Sequence, residues 1–408
     1  MTATLQTPPI TFDLQPYKSL ENAELAARIQ AVRDRFGSQL LILGHHYQQD
    51  EVIAHADLRG DSYGLSQHAA DSRDCRCIVF CGVHFMAETA DILANRPEKL
   101  AERGGGHDPN GGRVPVILPD MAAGCSMADM AAIDQIEDAW DQLGEVLDTS
   151  DITPVTYINS AASLKAFVGR HGGIVCTSSN AEAALRWAFA RTGHRPKGGR
   201  VMFFPDQHLG RNTALGMSQR AGSSPTPIST PIEKITLDEM PVWDPYADAL
   251  GGNSEQQLAR SKVILWKGHC SVHQMFRPEH VRLFREKHPG IKILVHPECP
   301  REVFELADES GSTSKIIKTV EAAPPGTKWA IGTELHLVNR LREEHPEQEI
   351  YFLSPVVCMC ATMYRIDLAH LCWSLENLAA GTPVNVIDVD EDTARWALVA
   401  LERMLEVH

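Results

Sequence analysis

One progression of motifs occurs three times along this chain, and each time it closes on a cysteine. A short apolar run ends in polar, reactive side chains, and a small hydroxyl-rich tip follows. A second apolar run then ends in Gly, Pro or an acid, and a final run ends at Cys. The first pass reads LLILGHHYQ (40–48), GDSYG (60–64), IVFCGVHFMAET (78–89) and VILPDMAAGC (116–125). The second reads VTYINSA (155–161), CTSSNA (176–181), VMFFPDQHLG (201–210) and VILWKGHC (263–270). The third reads ILVHPE (293–298), SGSTSK (310–315), WAIGTELHLV (329–338) and YFLSPVVCMC (351–360). The same interval separates Tyr47 from Ser62 and Glu298 from Thr313, while the middle unit runs longer, from Tyr157 to Cys176. Any α/β protein shares some of this pattern; the matched interval is what argues for a repeat. Such a chain is constrained to three similar strand-rich units, each delivering one thiol to a common centre.

The apolar runs are short, rich in Val, Ile, Leu and Phe, and bounded mostly by Gly, Pro or polar residues. Helical spacing marks 66–74, 181–190 and 278–288 between them, with an amphipathic helix over 21–36 ahead of them and another over 393–407 behind. Alternating strand and helix predicts an α/β fold with parallel sheets covered on both faces. In such sheets ligands gather at the carboxyl ends of the strands, where the reactive residues of this repeat stand. A chain of 408 residues exceeds one ordinary core, so two to three domains are expected. The boundaries read as an N-terminal arm and helix at 1–37 and αβα domains at 38–118, 119–262 and 263–357. A last segment, 358–408, carries the third cysteine and C-terminal helices that pack back on the body. Two insertions interrupt the pattern: a Gly-rich loop at 104–112, and 212–260, read as an elaborated loop with little regular structure.

The net charge of −15 argues against nucleic acid or an anionic membrane as partner, since both require a basic surface. An anionic small substrate stays compatible with a locally positive pocket. No apolar stretch is long enough to span a bilayer, and the first residues lack a basic segment followed by an apolar one. The expectation is a cytoplasmic protein. Ten cysteines in 408 residues fall short of a disulfide scaffold, which leaves metal binding, catalysis or plain burial.

By position in the repeat, Cys125, Cys270 and Cys360 are equivalent, each following an expected strand in a turn containing Gly or Pro. Cys81 lies in an apolar run and reads as core. Cys176 opens a tip segment, Cys75, Cys77 and Cys372 sit in or beside helical patterns, and Cys299 follows His-Pro-Glu. Cys358 is the hardest to set aside, because in Cys-Met-Cys both thiols share a face of an extended chain. Paired zinc-ligand spacing and the ferredoxin run are both missing from the sequence. Three distant thiolates suit a cluster better than structural zinc. On a [4Fe-4S] cluster they leave one iron without a protein ligand, able to act as a Lewis acid.

The strand-end groups are His45, His46, Tyr47, Asp61, Ser62, Tyr157, Asn159, Ser178, Asp206, His208, His296, Glu298 and Thr313. Ser62, Ser178 and Thr313 each stand where a strand gives way to an expected helix. Any one of them alone reads as an N-cap; three at equivalent positions point to a shared anion site. His, Tyr and Glu supply general acid–base groups, and a desolvated Glu can be tuned toward neutral pH. A lone His is as well explained as structural, whereas His296-Pro-Glu298 can present two side chains to one pocket across a rigid Pro.

These motifs, GHHYQ, GDS, CGVHFMAETA, GCSMADM, YINSA, CTSSNA, PDQHLGR, WKGHCSVH, VHPE, GSTS, IGTELH and CATM, resemble the quinolinate synthase family from about residue 38 to about 365. The resemblance implies three Rossmann-like αβα domains around a pseudo-threefold axis, with a [4Fe-4S] cluster and the active site at their centre. It places the cluster ligands on Cys125, Cys270 and Cys360, with Cys358 an extra neighbour. It places substrate and catalytic positions on His45, Tyr47, Asp61, Ser62, Phe85, Tyr157, Asn159, Ser178, His296, Glu298, Thr313 and Met363, with His45, Tyr47, Tyr157 and Glu298 as the catalytic set. The implied reaction condenses iminoaspartate with dihydroxyacetone phosphate to quinolinate in NAD biosynthesis, coupled functionally to L-aspartate oxidase. Two other readings of the residues stay open: a different open-cluster hydro-lyase acting on a small carboxylic acid, and a cluster-bearing redox sensor or carrier. The sensor has little use for the His, Tyr and Glu set.

Overall fold

In the computed structural model, which describes residues 11–71, 75–103, 112–191, 199–219, 234–356 and 359–407, the apolar runs of the repeat become strands. In chain order these are β1 Leu40–His45, β2 Leu58–Gly60, β3 Cys77–Cys81, β4 Val116–Ile117, β5 Ile152–Tyr157, β6 Ile174–Cys176 and β7 Arg200–Phe204. There follow β8 Val242–Trp243, β9 Val263–Trp266, β10 Lys292–Val295, β11 Glu309–Ser310, β12 Lys328–Gly332, β13 Glu349–Phe352 and β14 Val386–Ile387. They form three mostly parallel sheets flanked by helices, as the alternation of strand and helix predicts. Residues 1–10, 104–111, 220–233 and Cys358 lie outside the described residues, so those parts of the arm, of both insertions and of the Cys-Met-Cys pair are not placed.

Contacts divide the chain into two compact units, the first made of Met1–Gly60, Gly64–Gly124 and Ala361–Asp388. Its sheet has the order β14-β4-β3-β1-β2, parallel except for β14, which runs antiparallel to β4. All of β3 is buried, which is why its sequence is a continuous apolar run rather than an alternation. The following helix, His84–Ala94, is apolar around nearly its whole circumference and is correspondingly buried. The helix Asn22–Phe36 packs on Leu368–Ala379. Glu376 fastens that pair by accepting a fork of hydrogen bonds from Arg28 at 2.8 and 2.7 Å and another from the Tyr17 hydroxyl at 2.5 Å.

The second unit, Asp61–Tyr63, Cys125–Cys360 and Val389–His408, holds two fully parallel sheets. One has the order β6-β5-β7-β9-β8 and the other β11-β10-β12-β13. A core of Phe276, Val281, Ile291, Ile293, Val295, Val303, Ala330 and Leu353 backs the four-stranded sheet. The helix Glu391–Glu406 lies on Ala162–Arg170 so closely that a Cβ at Gly169 would fall 1.9 Å from the Trp396 carbonyl oxygen. Only glycine permits that approach.

Residues 234–260, expected as loop, contain regular structure. β8 adds the edge strand beside β9, and the helix Glu255–Arg260 starts on a Ser254–Gln257 capping box. Trp243 turns its ring beneath Gly251, where a Cβ would fall 2.4 Å from the ring and the φ of +59° itself favours glycine. A two-residue strand is too short to register as periodicity, which is why sequence pattern misses it. Among the described residues no helix is long and apolar enough to cross a membrane.

Candidate functional site

In the second unit β10 ends in His296-Pro297-Glu298, and both ionisable side chains are almost fully buried. Glu298 Oε1 accepts a hydrogen bond from the Tyr157 hydroxyl at 2.6 Å, and Tyr157 is the last residue of β5. Glu298 Oε2 lies 2.9 Å from His273 Nδ1, and His273 stacks on His296 with ring centroids 4.6 Å apart. Burial works to raise the Glu298 carboxyl, while His296, His273 and the hydrogen bonds from His273 and Tyr157 pull it below the ordinary carboxylate range. Burial pushes His296 down to about 3, so that ring is neutral at neutral pH, which leaves His273 and the Tyr157 hydroxyl to hold the Glu298 carboxyl low there. The result is a buried carboxylate whose two oxygens each face a side chain able to donate a proton.

The three repeat-equivalent cysteines also fall in this unit. Cys125 stands at the N-cap of the short helix Ser126–Asp129, and Cys270 at the N-cap of Ser271–Gln274. The backbone N–H groups of Ala128 and Met127 bear on the Cys125 sulfur, and that of His273 on the Cys270 sulfur. Cys360 donates its backbone N–H to Glu334 Oε1 at 3.4 Å. Burial of the sulfur pushes the Cys125 thiol up to about 12 and the Cys270 thiol well above its ordinary value. Cys360 adds to the rise of Cys125, and Cys125 and Cys360 both add to that of Cys270. Thiols in this relation ionise together only around a cation. One ligand atom each from Cys270, His273 and Glu298 lies within 4.8 Å of the others, so this corner has a mixed S, N and O donor set.

The hydroxyl tips lie at helix starts. Thr313 opens Thr313–Glu321, Ser62 opens Ser62–Asp71, and Ser178 sits in the turn just before Ala181–Arg191. Asp61 accepts the Ser314 hydroxyl at 2.6 Å and faces the Ser179 hydroxyl at 3.4 Å, so its carboxylate joins two of these tips. Asn159 follows β5, and its Oδ1 is buried without a hydrogen-bond partner among the described residues.

The remaining sequence-derived positions belong to the first unit. His45 closes β1, is 4 % exposed, accepts the Tyr47 N–H at Nδ1 (3.1 Å), and meets the Tyr47 ring edge-on at 4.7 Å. Phe85 is buried in His84–Ala94, and Met363 is buried in the single 3₁₀ turn Met363–Arg365.

Reasoning from sequence quoted the motifs that hold His273, Glu334 and Ser314 without singling those residues out. Each has a signal in hindsight. His273 lies one turn after Cys270. Glu334 is an acid between a strand and an apolar-periodic helix, and Ser314 doubles the hydroxyl at Thr313.

Residues 27–406 match the family model described as Quinolinate synthetase A protein. The chain is 68% identical over 394 residues to "Quinolinate synthase" of Rhodopirellula baltica, covering 97% of this chain and 93% of that protein. It is 51% identical over 381 residues to "Quinolinate synthase" of a Nocardioides species, covering 93% of this chain and 89% of that one. It is also 51% identical over 391 residues to "Quinolinate synthase" of Geobacillus kaustophilus, with 96% and 95% covered.

Proposed function

The chain belongs to the quinolinate synthetase A family, and from that premise we propose that it condenses iminoaspartate with dihydroxyacetone phosphate to give quinolinate, releasing one phosphate and two waters. Membership makes it an enzyme acting on small molecules. The observation that carries the proposed chemistry is Glu298, a buried carboxylate held between the Tyr157 hydroxyl and the His273 ring in the same unit as three mutually interacting thiols. Each of the three sequence units supplies its own sheet, which supports reading the units as copies of one Rossmann-like αβα layer.

Cys125, Cys270 and Cys360 would be the protein ligands of a [4Fe-4S] cluster. The donor set fits: thiols on three separate loops come close enough that Cys360 acts on Cys125 and both act on Cys270, and helix N–H groups bear on two of the sulfurs. When bound, a cluster with three cysteine ligands supplies an open iron that polarises a substrate oxygen or nitrogen during dehydration.

Ser62, Ser178 and Thr313, at helix starts, hold phosphate and carboxylate oxygens, and His45 and His296 serve as further hydrogen-bond donors to the substrate. Asp61 serves the same pocket by fixing the Ser314 and Ser179 hydroxyls. Glu298 takes a proton from the carbon next to the carbonyl during enolisation, and Tyr47 exchanges one in the isomerisation and ring closure that follow. Tyr157 and Asn159 orient the substrate, Asn159 through an oxygen left open for a donor. Phe85 and Met363 form apolar walls that keep water from the reacting carbons. Iminoaspartate is short-lived in water, so an aspartate-oxidising enzyme, of the L-aspartate oxidase kind, must supply it nearby. A cytoplasmic setting keeps such thiols reduced.

Anaerobically purified protein assayed for iron, sulfide and quinolinate on one sample tests this reading. About four iron and four sulfide per chain together with quinolinate dependent on dihydroxyacetone phosphate is the expected result. Quinolinate from iron-free protein overturns the cluster assignment. Iron-loaded protein that makes none overturns the substrates.

A further inference from the structure

Two of the three proposed ligand cysteines share a support that the chemistry above does not use. At the end of β7, Asp206 begins the helix Gln207–Gln219, and its Oδ1 accepts the N–H groups of His208 at 2.7 Å and Leu209 at 2.8 Å. The loop before Cys270 is pinned at this helix start by Gln207 N–H donating to the Gly268 carbonyl at 3.0 Å, which sets the Cys270 N–H to work against the burial that raises the Asp206 carboxyl, without a full hydrogen bond to it. At the end of β12, Glu334 begins the helix Leu335–Glu344, with Oε2 accepting His336 N–H at 2.7 Å and Leu337 N–H at 3.3 Å. Its other oxygen accepts the Cys360 N–H at 3.4 Å. The two corners lie in different sheets, and the carboxylate role recurs in both.

An acid is a costly choice for this task. Both side chains are 0% exposed, and burying a carboxylate is unfavourable unless its oxygens are well served, as both are in Glu334 and Oδ1 is in Asp206. Ser or Asn would cap either helix with less desolvation. In Glu334 the second oxygen, fixed in the plane of the first, reaches past the helix terminus to the Cys360 amide, whereas Oδ2 of Asp206 has no hydrogen-bond partner among the described residues. At the equivalent place after β3 the repeat has Gly82-Val83 in place of an acid, and the loop leading to Cys125 is held main chain to main chain, His84 N–H to the Ala123 carbonyl at 2.8 Å.

We infer that Asp206 and Glu334 are positioning residues for the metal centre, Glu334 by tying a helix N-terminus to the backbone amide of Cys360 and Asp206 by fixing the helix start to which the Cys270 loop is pinned, each so aiming a sulfur. The inference rests on the cysteine assignment proposed above. It means that two cysteine loops are oriented before metal arrives, as outer partners do for metal ligands generally.

The test uses full-length, anaerobically loaded Asp206→Asn and Glu334→Gln. Glu334→Gln keeps an oxygen for the helix cap but turns an NH₂ toward the Cys360 N–H, donor against donor, and Asp206→Asn removes the charge that holds its helix start. Iron should pass to a chelator about tenfold faster or more than from the parent protein. The EPR spectrum of the reduced cluster should change, while the metal-free variants keep the circular-dichroism spectrum of the folded metal-free parent. Parent-like release and spectra in both variants overturn the inference. Should one variant fail to fold, the other decides, because the corners lie in separate sheets. Cys270→Ala and Cys360→Ala run alongside. If these hold a full complement of iron and sulfide, the cluster assignment falls and the inference with it. If they lose it while the amide variants match the parent, only the inference falls.

Discussion

Strands β10 and β12 are neighbours in one sheet, and a buried glutamate stands just beyond each. Glu298, after β10, is hydrogen-bonded by side chains, the Tyr157 hydroxyl and the His273 ring. Glu334, after β12, is hydrogen-bonded by main-chain N–H groups of His336, Leu337 and Cys360. A hydroxyl or an imidazole can pass a proton on; an amide N–H cannot. Burial raises Glu334 to about 7, which by itself would make it the more attractive general base. Its partners say otherwise. The pair shows that what a buried acid can do is set by who donates to it, more than by how far burial displaces it.

The sharpest way to break that contrast is catalytic. Glu298→Gln should lower kcat by about 10²–10⁴-fold, the usual worth of a general base, with bound iron retained. Glu334→Gln, compared per bound iron, should keep most of its kcat. Anaerobic steady-state rates decide it, and a larger loss in the second variant than in the first would reverse the two roles. Next in size is Tyr157→Phe, which removes a hydrogen bond to an ionised group worth about 1.5–3 kcal/mol. Losing that donor raises the Glu298 carboxyl, so the acid limb of the kcat/KM profile should move to higher pH. An unmoved limb means that some other group titrates there.

The smallest effect is on stability, read on metal-free protein by urea unfolding across a pH series. Burial pushes His296 from its ordinary 6.5 to about 3, so as pH falls the unfolded chain takes the proton first. Its contribution is complete above about 6.5 and is lost as pH falls toward 3. Glu334 is raised from 4.5 to about 7, so its contribution is complete below about 4.5 and is lost as pH rises through 7. His296→Asn should flatten the acid-side slope and Glu334→Gln the neutral-side slope, each by on the order of 1–3 kcal/mol. Slopes of the same sign in both variants would erase the difference between the two strand ends.

Sequence was informative where an element is long enough to show a period. The pattern over 21–36 is the helix Asn22–Phe36, that over 181–190 is Ala181–Arg191, and that over 278–288 is Pro278–Lys287. His-Pro-Glu was legible as a strand tip because a rigid Pro separates two ionisable groups directly after an apolar run. The four-residue helices behind Cys125 and Cys270 were not legible, since one turn carries no repeat. His273 is illegible for the same reason: it sits in such a turn, and its side chain meets His296 and Glu298, which follow a strand of another sheet. Asp206 was read as a pocket group rather than as a cap, because sequence spacing does not show which amide a carboxylate will meet.

The helix Glu391–Glu406 has a consequence in time. Asn180, in the tip that carries Ser178, donates to the carbonyls of Met404 at 3.1 Å and Val407 at 3.2 Å, partners 224 and 227 positions further along. Arg403 likewise donates to the Gly173 carbonyl just ahead of that tip, at 2.6 Å. A ribosome that has just made residue 180 therefore leaves this corner without its seat until the far end of the chain emerges. The middle unit is begun early and finished last, so a nascent chain stalled before residue 390 would carry the tip's sequence without its support.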